Sequence, residues 1–275
     1  MKNLKQITHK DVISNLKNWA ASLQKPQKQK APHVSKKYEK FIAIGCSHGM
    51  YADPTAEEAV LKMRDRWNPS IVVHLGDWCD TTAWRSGAAG SSDESEPVHP
   101  DIDGGLSFLR KYRPTHVLDG NHEDRIPRML NHRNAIVSYG AQQATDWIEK
   151  TFVEIGCRRI PYDGVFQRLE IGNVTFTHGT IYNENAARDM AEMYGGNVVF
   201  AHTHRAQIGE GRTIKESTGY CVGTLTRRGE MDYAKTRRAT LGWRQGIVYG
   251  EIGPKDSAVW LITRNEFQNE WRLPL

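Results

Sequence analysis

The sequence predicts an α/β fold, because short apolar runs of strand character alternate with a stretch of helical period, and polar clusters stand just beyond the predicted strand ends. Apolar residues make up 39% and charged residues 25% of the 275 positions, ordinary values for a globular protein with a sizeable core. That length permits one large domain with a small appendage. No apolar run approaches the ~18 residues of a membrane-spanning helix, so no membrane partner is expected.

Residues 9–24 place Val12, Ile13, Leu16, Trp19, Ala20 and Leu23 at helical spacing, which predicts an amphipathic helix. Residues 25–37, rich in Lys, Gln and Pro, have no period and read as a linker. Helix and linker together form an arm over 1–39, and the main domain spans 40–275. Within it, 41–44 reads as a strand, Asp53-Pro54 as an N-cap with the first helical turn, and 55–67 as the helix. Residues 71–75 give a second strand, 106–112 a helix, 115–118 a third strand and 198–201 another. The stretch 86–105 is rich in Gly, Ser and Asp and reads as a surface loop, either a lid or a plain insertion.

The net charge of +5 is uneven: residues 1–40 hold ten lysines against Asp11 and Glu39, so the rest of the chain carries −3. A basic arm of this kind suits nucleic-acid phosphates, since each neutralised phosphate releases counterions; it equally suits a solvated tail. The first ten residues lack the apolar core of a secretory signal, and Cys46, Cys79, Cys157 and Cys221 form no CxxC pair. A reducing cytosol is the expected location.

Five short segments carry chemistry: Cys46-Ser47-His48, Gly76-Asp77-Trp78-Cys79-Asp80, Gly120-Asn121-His122-Glu123, His178-Gly179 and His202-Thr203-His204. Five of the eleven histidines fall within them. Open α/β sheets place ligand sites at such strand ends, and Gly45, Gly76, Gly120 and Gly179 let the backbone turn there. Imidazoles and carboxylates in this mixture suit divalent Zn, Mn or Fe. Hydrolysing a phosphate ester needs a hydroxide nucleophile at neutral pH and neutralised phosphoryl oxygens, and two metal ions ~3.5–4 Å apart supply both.

In order and content these segments resemble the DxH, GDxxD, GNH(E/D), His and GHxH signature of the calcineurin-like metallophosphoesterase superfamily, from about residue 41 to 204. Trp243-Arg244-Gln245-Gly246 further resembles phage and prophage members. The resemblance implies a four-layer αββα sandwich of two mixed sheets with a dinuclear metal site at the strand ends. In that fold, strands at 220–224, 246–252 and 258–263 would complete the second sheet. It implies one metal held by residue 46, His48, Asp77 and His204, and a second held by Asp77, Asn121, His178 and His202. His122 would contact the scissile phosphate as a general acid or electrostatic stabiliser, with Asp80 orienting its ring.

The sequence departs from the family at Cys46, where the signature has Asp, and at Ala201, where it has Gly. A ligating thiolate would favour Zn or Fe over Mn; the other reading of Cys46 is a small buried residue, leaving the first metal three protein ligands. Arg125 either reaches a substrate phosphate or pairs with Glu123 or Asp124. Arg205 has the same two options, substrate or surface. Trp78 and Trp84 either stack on a base or pack in the core, and His74, His116 and His132 read as structural. The leading expectation is a phosphodiesterase or nuclease acting on DNA, RNA or nucleotides. Alternatives are a phosphomonoesterase, including a protein phosphatase, or a binding module with an impaired metal site. Thr81 stands where protein phosphatases of the family carry a phosphate-gripping Arg, which counts against that branch.

Overall fold

The computed structural model describes residues 38–227, 229–231, 234, 238–265 and 270–274. The helix expected over 9–24 and the linker over 25–37 lie outside the described residues. Along the chain run β1 (Glu39–Ile44), α1 (Pro54–Trp67), β2 (Ile71–His74), α2 (Val98–Tyr112), β3 (His116–Leu118), α3 (Arg125–Met129), α4 (Ala135–Ile155) and β4 (Arg158–Ile160). There follow β5 (Leu169–Ile171), β6 (Val174–Phe176), α5 (Ala186–Tyr194), β7 (Gly196–Phe200), β8 (Ala206–Glu210), β9 (Ser217–Val222), β10 (Gly246–Ile252) and β11 (Ser257–Thr263). No described helix is long and apolar enough to cross a membrane.

The strands form two mixed sheets, ordered β11-β10-β1-β2-β3-β4 and β5-β6-β7-β9-β8. The period of two decides which side chain goes where. Phe41, Ala43 and Val73 of the first sheet meet Val174, Phe176, Val199 and Val222 of the second in one buried core. On the other face of the first sheet, Ile42, Ile44 and Val72 pack on Val60 and Met63 of α1 and Phe108 of α2. Val198, Phe200 and Cys221 cover the outer face of the second sheet against Ala187 and Met190 of α5. The result is the αββα sandwich.

The start of α1 is fixed by Asp53, whose Oδ1 accepts the Thr55 N–H at 2.9 Å, and by Pro54 in the first turn. The other carboxylate oxygen accepts Gln245 Nε2 at 3.0 Å and Arg264 Nη1 at 2.7 Å, tying the helix to the C-terminal strands. Burial opposes the charge on Asp53, but hydrogen bonds from Gln245, Thr55 and Arg264 outweigh it and hold the pKa at about 2. Because the folded-state pKa is depressed, this stabilisation is complete above the ordinary carboxylate value and is lost as pH falls through about 2. Asp53→Ala should therefore cost about 1–3 kcal/mol near neutral pH, and thermal melts should show the gap from wild type narrowing below about pH 3.

Two expectations need correction. The helix expected from 106 begins at Val98, so the irregular stretch shortens to 86–97 and contains a 3-10 turn at Ser92–Ser95. Pro100 sits in the first turn of α2, where a missing N–H costs nothing. Gly105 is there because a Cβ would lie 2.3 Å from the Trp78 carbonyl oxygen: the glycines mark close packing, not a loop. Second, β10 and β11 join the first sheet, antiparallel beside β1, and only β9 of the three late strands enters the second. β10 is apolar on both faces, with Val248 and Ile252 in the inter-sheet core and Ile247 against α1. The open edge of β1 offers both environments, and Trp67 of α1 receives Tyr249 edge-on at 5.1 Å.

Candidate metal centre

Loops following β1, β2, β3, β6 and β7 converge at the C-terminal ends of these strands and bring the five motifs together. Cys46, His48, Asp77, His202 and His204 all hold left-handed backbone, with φ between 52° and 67°. Such conformations cost about 1–3 kcal/mol each for non-glycine residues and concentrate where function requires them.

The donor atoms of Cys46, His48, Asp77 and His204 lie within 4.8 Å of one another, as do those of Asp77, His178 and His202. Asp77 belongs to both groups: its Oδ2 is 3.9 Å from His48 Nε2 and 3.3 Å from His178 Nε2. His48 Nε2 is 2.9 Å from His204 Nε2, and His178 Nε2 is 3.2 Å from both His202 Nδ1 and Asn121 Oδ1. His48 Nδ1 lies 2.8 Å from the Asp80 carboxylate and His178 Nδ1 lies 2.7 Å from the Leu75 carbonyl. Those acceptors fix the ring protons on Nδ1 and turn the Nε2 lone pairs inward. The inward Nε2 lone pairs of His48 and His178, each with a second imidazole and Asp77 close by, suit divalent cations, so the residues fit such ions.

Electrostatics agree with that fit. Burial keeps His204 well below the ordinary imidazole range and lowers His202 to about 4, so both are neutral donors. Burial opposes the charge on Asp77, but the His122 and His178 rings hold it well below the carboxylate range. Burial, and then Asp77, push the Cys46 thiol well above its ordinary value, so it takes a cation against the sulfur to hold a thiolate there.

The loops are braced from beneath by two carboxylates. Glu123 accepts the backbone N–H groups of Asp77 at 2.8 Å, Cys79 at 3.0 Å and Gly120 at 2.6 Å, and burial with Asp77 and Asp119 raises its pKa to about 7. Asp101 of α2 accepts the N–H groups of Asp80 at 2.9 Å and Thr81 at 2.7 Å. The sequence alone gives Glu123 no such role within its Gly120–Glu123 segment, and nothing in the composition of 86–105 distinguishes Asp101. Glu123→Gln turns donors toward N–H groups and should weaken metal binding about 10–100-fold, measurable by calorimetry.

His122 Nδ1 lies 2.8 Å from the Asp80 carbonyl and 3.0 Å from its carboxylate, so Asp80 orients both His122 and His48. Arg125 pairs with neither Glu123 nor Asp124; its Nη1 donates to the Asp80 carbonyl at 2.7 Å. The Thr81 hydroxyl donates to the His122 carbonyl at 2.9 Å. His74 is buried, held to Ser47 and to the Gly76 N–H, and lowered by burial to about 3. Trp78 is fully buried against Phe152, and Trp84 packs on the same cluster.

A cavity of about 250 Å³ opens over Asp77, Asn121, His122, His202 and His204, with Tyr182, Arg205, Thr240 and Trp243 as further walls. Trp243 meets the His204 ring at 4.2 Å, and Arg205 Nη2 donates to the Tyr182 carbonyl at 2.8 Å. Of these further walls Tyr182 follows β6, Arg205 follows β7, and Thr240 and Trp243 precede β10; 86–97 contributes none of the described walls. Tyr182 and Thr240 carried no sequence signal.

Five strand-end loops bring imidazoles, a thiol, an amide and a carboxylate common to two donor groups together, an arrangement compatible with a dinuclear metal site. The family model of the calcineurin-like phosphoesterases matches residues 39–206, and the chain belongs to that family, whose chemistry is metal-dependent phosphoester hydrolysis. Among solved structures, a single mutant of Vps29 from Entamoeba histolytica is 14% identical at a TM-score of 0.42, covering 82% of this chain and 93% of that one. The phosphoesterase Yfce from E. coli is 16% identical at a TM-score of 0.35, covering 82% of this chain and 100% of that one. No curated protein matches the sequence.

Proposed function

We propose that this chain is a phosphodiesterase that cleaves a nucleic acid strand or a nucleotide, with two resident ions of Zn, Mn or Fe. Trp243 and Tyr182 carry this reading: they place aromatic surface in the same cavity as Asp77 and Asn121. A diester has an organic arm on each side of phosphorus, and an aromatic wall beside the reacting centre suits a base on one of them. The ten lysines of residues 1–40 add charge for a polyanion, and the arm over 1–39 is taken as an appendage to a domain over 40–275. A phage-type member of the family, working in a reducing cytosol where four free thiols persist, completes the reading.

Cys46, His48, Asp77 and His204 would hold one ion, and Asp77, Asn121, His178 and His202 the other. Two such ions supply a nucleophile at neutral pH and neutralise phosphoryl oxygens. Around them the chain's own groups bind, orient and move a proton. Burial works against a proton on His122, but Asp77 and Asp80 outweigh it and raise its pKa. Its Nε2 faces the cavity while Asp80 takes Nδ1, so a protonated ring donates to a phosphoryl or leaving oxygen. Arg125 acts on substrate through His122, by bracing the Asp80 carbonyl. Asn121 turns its amide toward both His178 and the cavity.

The protein-phosphatase branch of the monoesterase reading is weaker because Thr81, at the position of the gripping Arg, spends its hydroxyl on the His122 backbone. A panel of bis-(p-nitrophenyl) phosphate and single- and double-stranded DNA, against p-nitrophenyl phosphate and a phosphopeptide, tests the proposal. With Mn or Zn added, kcat/KM should favour diesters by about tenfold or more. Preference for a monoester, or no metal-dependent cleavage between about pH 6 and 9, would reverse it.

A further inference from the structure

The ligands proposed for the second ion come from different sheets: Asn121 follows β3 of the first and His178 follows β6 of the second. At that end of the molecule β3, β4, β5 and β6 are each only three residues long, so their ladders alone give little rigidity. Yet Asn121 Oδ1 and His178 Nε2 lie 3.2 Å apart. Besides the contact of the His178 ring with the Leu75 carbonyl, the Gln167 side chain joins the two sheets here. Gln167 is 2% exposed, and its Oε1 accepts the His178 N–H at 3.1 Å. Its Nε2 donates to the Asp119 carbonyl at 2.7 Å and also faces the Pro161 and Ile160 carbonyls at 3.0 and 3.3 Å.

The placement follows from register. β5 and β6 pair antiparallel with Leu169 opposite Phe176, so two positions further out Gln167 stands opposite His178, where backbone pairing has stopped. The side chain extends the ladder by one rung and then crosses to the first sheet. Asp119, at the other end of that crossing, is two residues before Asn121. Only a primary amide can do both jobs: its oxygen meets a donor while its nitrogen meets carbonyl oxygens, and the reverse orientation would set like against like.

We infer that Gln167 is a positioning residue that sets the distance between Asn121 and His178 and thereby the affinity of the second metal ion. The inference rests on the assignment of Asn121 and His178 to one ion. A second-layer partner of this kind governs metal affinity by about 10–100-fold, whereas a packing residue would affect both ions or neither.

The test uses the full chain, stripped of metal and titrated with cobalt(II) by calorimetry, with His178→Ala and His48→Ala marking which step belongs to which ion. Gln167→Leu removes the amide at similar volume. Gln167→Asn keeps the amide but shortens it by a methylene, and is the milder variant for folding. Expected for both is a 10–100-fold weaker second ion with the first within about twofold, and recovery of phosphoesterase turnover at excess metal. Equal weakening of both ions, or of neither, overturns the inference. If wild type itself takes fewer than two ions, the assignment of the site fails and takes the inference with it, a result visible without any Gln167 variant.

Discussion

Asp77→Asn is expected to empty both metal positions at once and to lower kcat by about 10³-fold or more, the largest loss of any single substitution in the chain. The reason is how its two oxygens are committed. Oδ1 accepts the His122 N–H at 3.1 Å, which leaves Oδ2 as the atom shared by the two donor groups. Asparagine can keep its carbonyl on the His122 N–H only by aiming an NH2 group into the cluster, where it meets imidazole lone pairs and repels cations. The backbone of Asp77 is held at φ 53° with its N–H on Glu123, and the side chain is buried. Elemental analysis of the purified variant should find fewer than one ion per chain. Asn121→Ala, touching one group alone, should retain the other ion. A variant at 77 that still carries two ions would disprove the sharing.

What was legible in the sequence was local. Each motif is a strand end followed by a tight turn, so residue types and spacing sufficed to collect Cys46, His48, Asp77, Asn121, His122, His178, His202 and His204. The apolar run 41–44 likewise announced a strand before any partner was known. Contacts between distant segments were not legible. Gly104 and Gly105 read as loop residues because composition does not say that the Gly49–Met50 backbone and Trp78 need the space. Asp101 and Gln167 are ordinary polar residues until the backbone groups they satisfy are placed beside them. The sheet membership of β10 depended on which edge was open, a property of the assembled fold. The cavity walls at Tyr182 and Thr240 belong to connections whose course no periodicity describes.

On the proposed assignment Cys46 decides the first metal position, and we expect its sulfur to ligate rather than only pack. Its N–H donates to the Gly76 carbonyl at 2.9 Å, and its own carbonyl accepts the Leu225 N–H at 3.1 Å and the Thr224 hydroxyl at 2.8 Å. Clamped at φ 52°, the residue has its sulfur aimed 3.9 Å from Asp77 Oδ2 and receiving the His202 N–H at 3.3 Å. A core residue chosen for volume alone gains nothing from a left-handed backbone costing about 1–3 kcal/mol. Cys46→Ala should therefore bind one ion per chain and lose about 10²-fold or more in kcat, while His178 and His202 still hold theirs. Cys46→Asp should bind two but shift preference from Zn toward Mn, as an oxygen donor replaces a soft thiolate. The pH dependence separates these cases further. Burial and Asp77 keep the thiol protonated at neutral pH, so loading the site must release its proton. Zinc affinity at this position should then rise by about tenfold per pH unit in wild type across the neutral range, and more shallowly in Cys46→Asp, whose carboxylate is already ionised. With cobalt(II), a thiolate charge-transfer band in the near ultraviolet should appear in wild type and vanish in both variants. Two ions and an unchanged spectrum in Cys46→Ala would make the sulfur a packing atom after all.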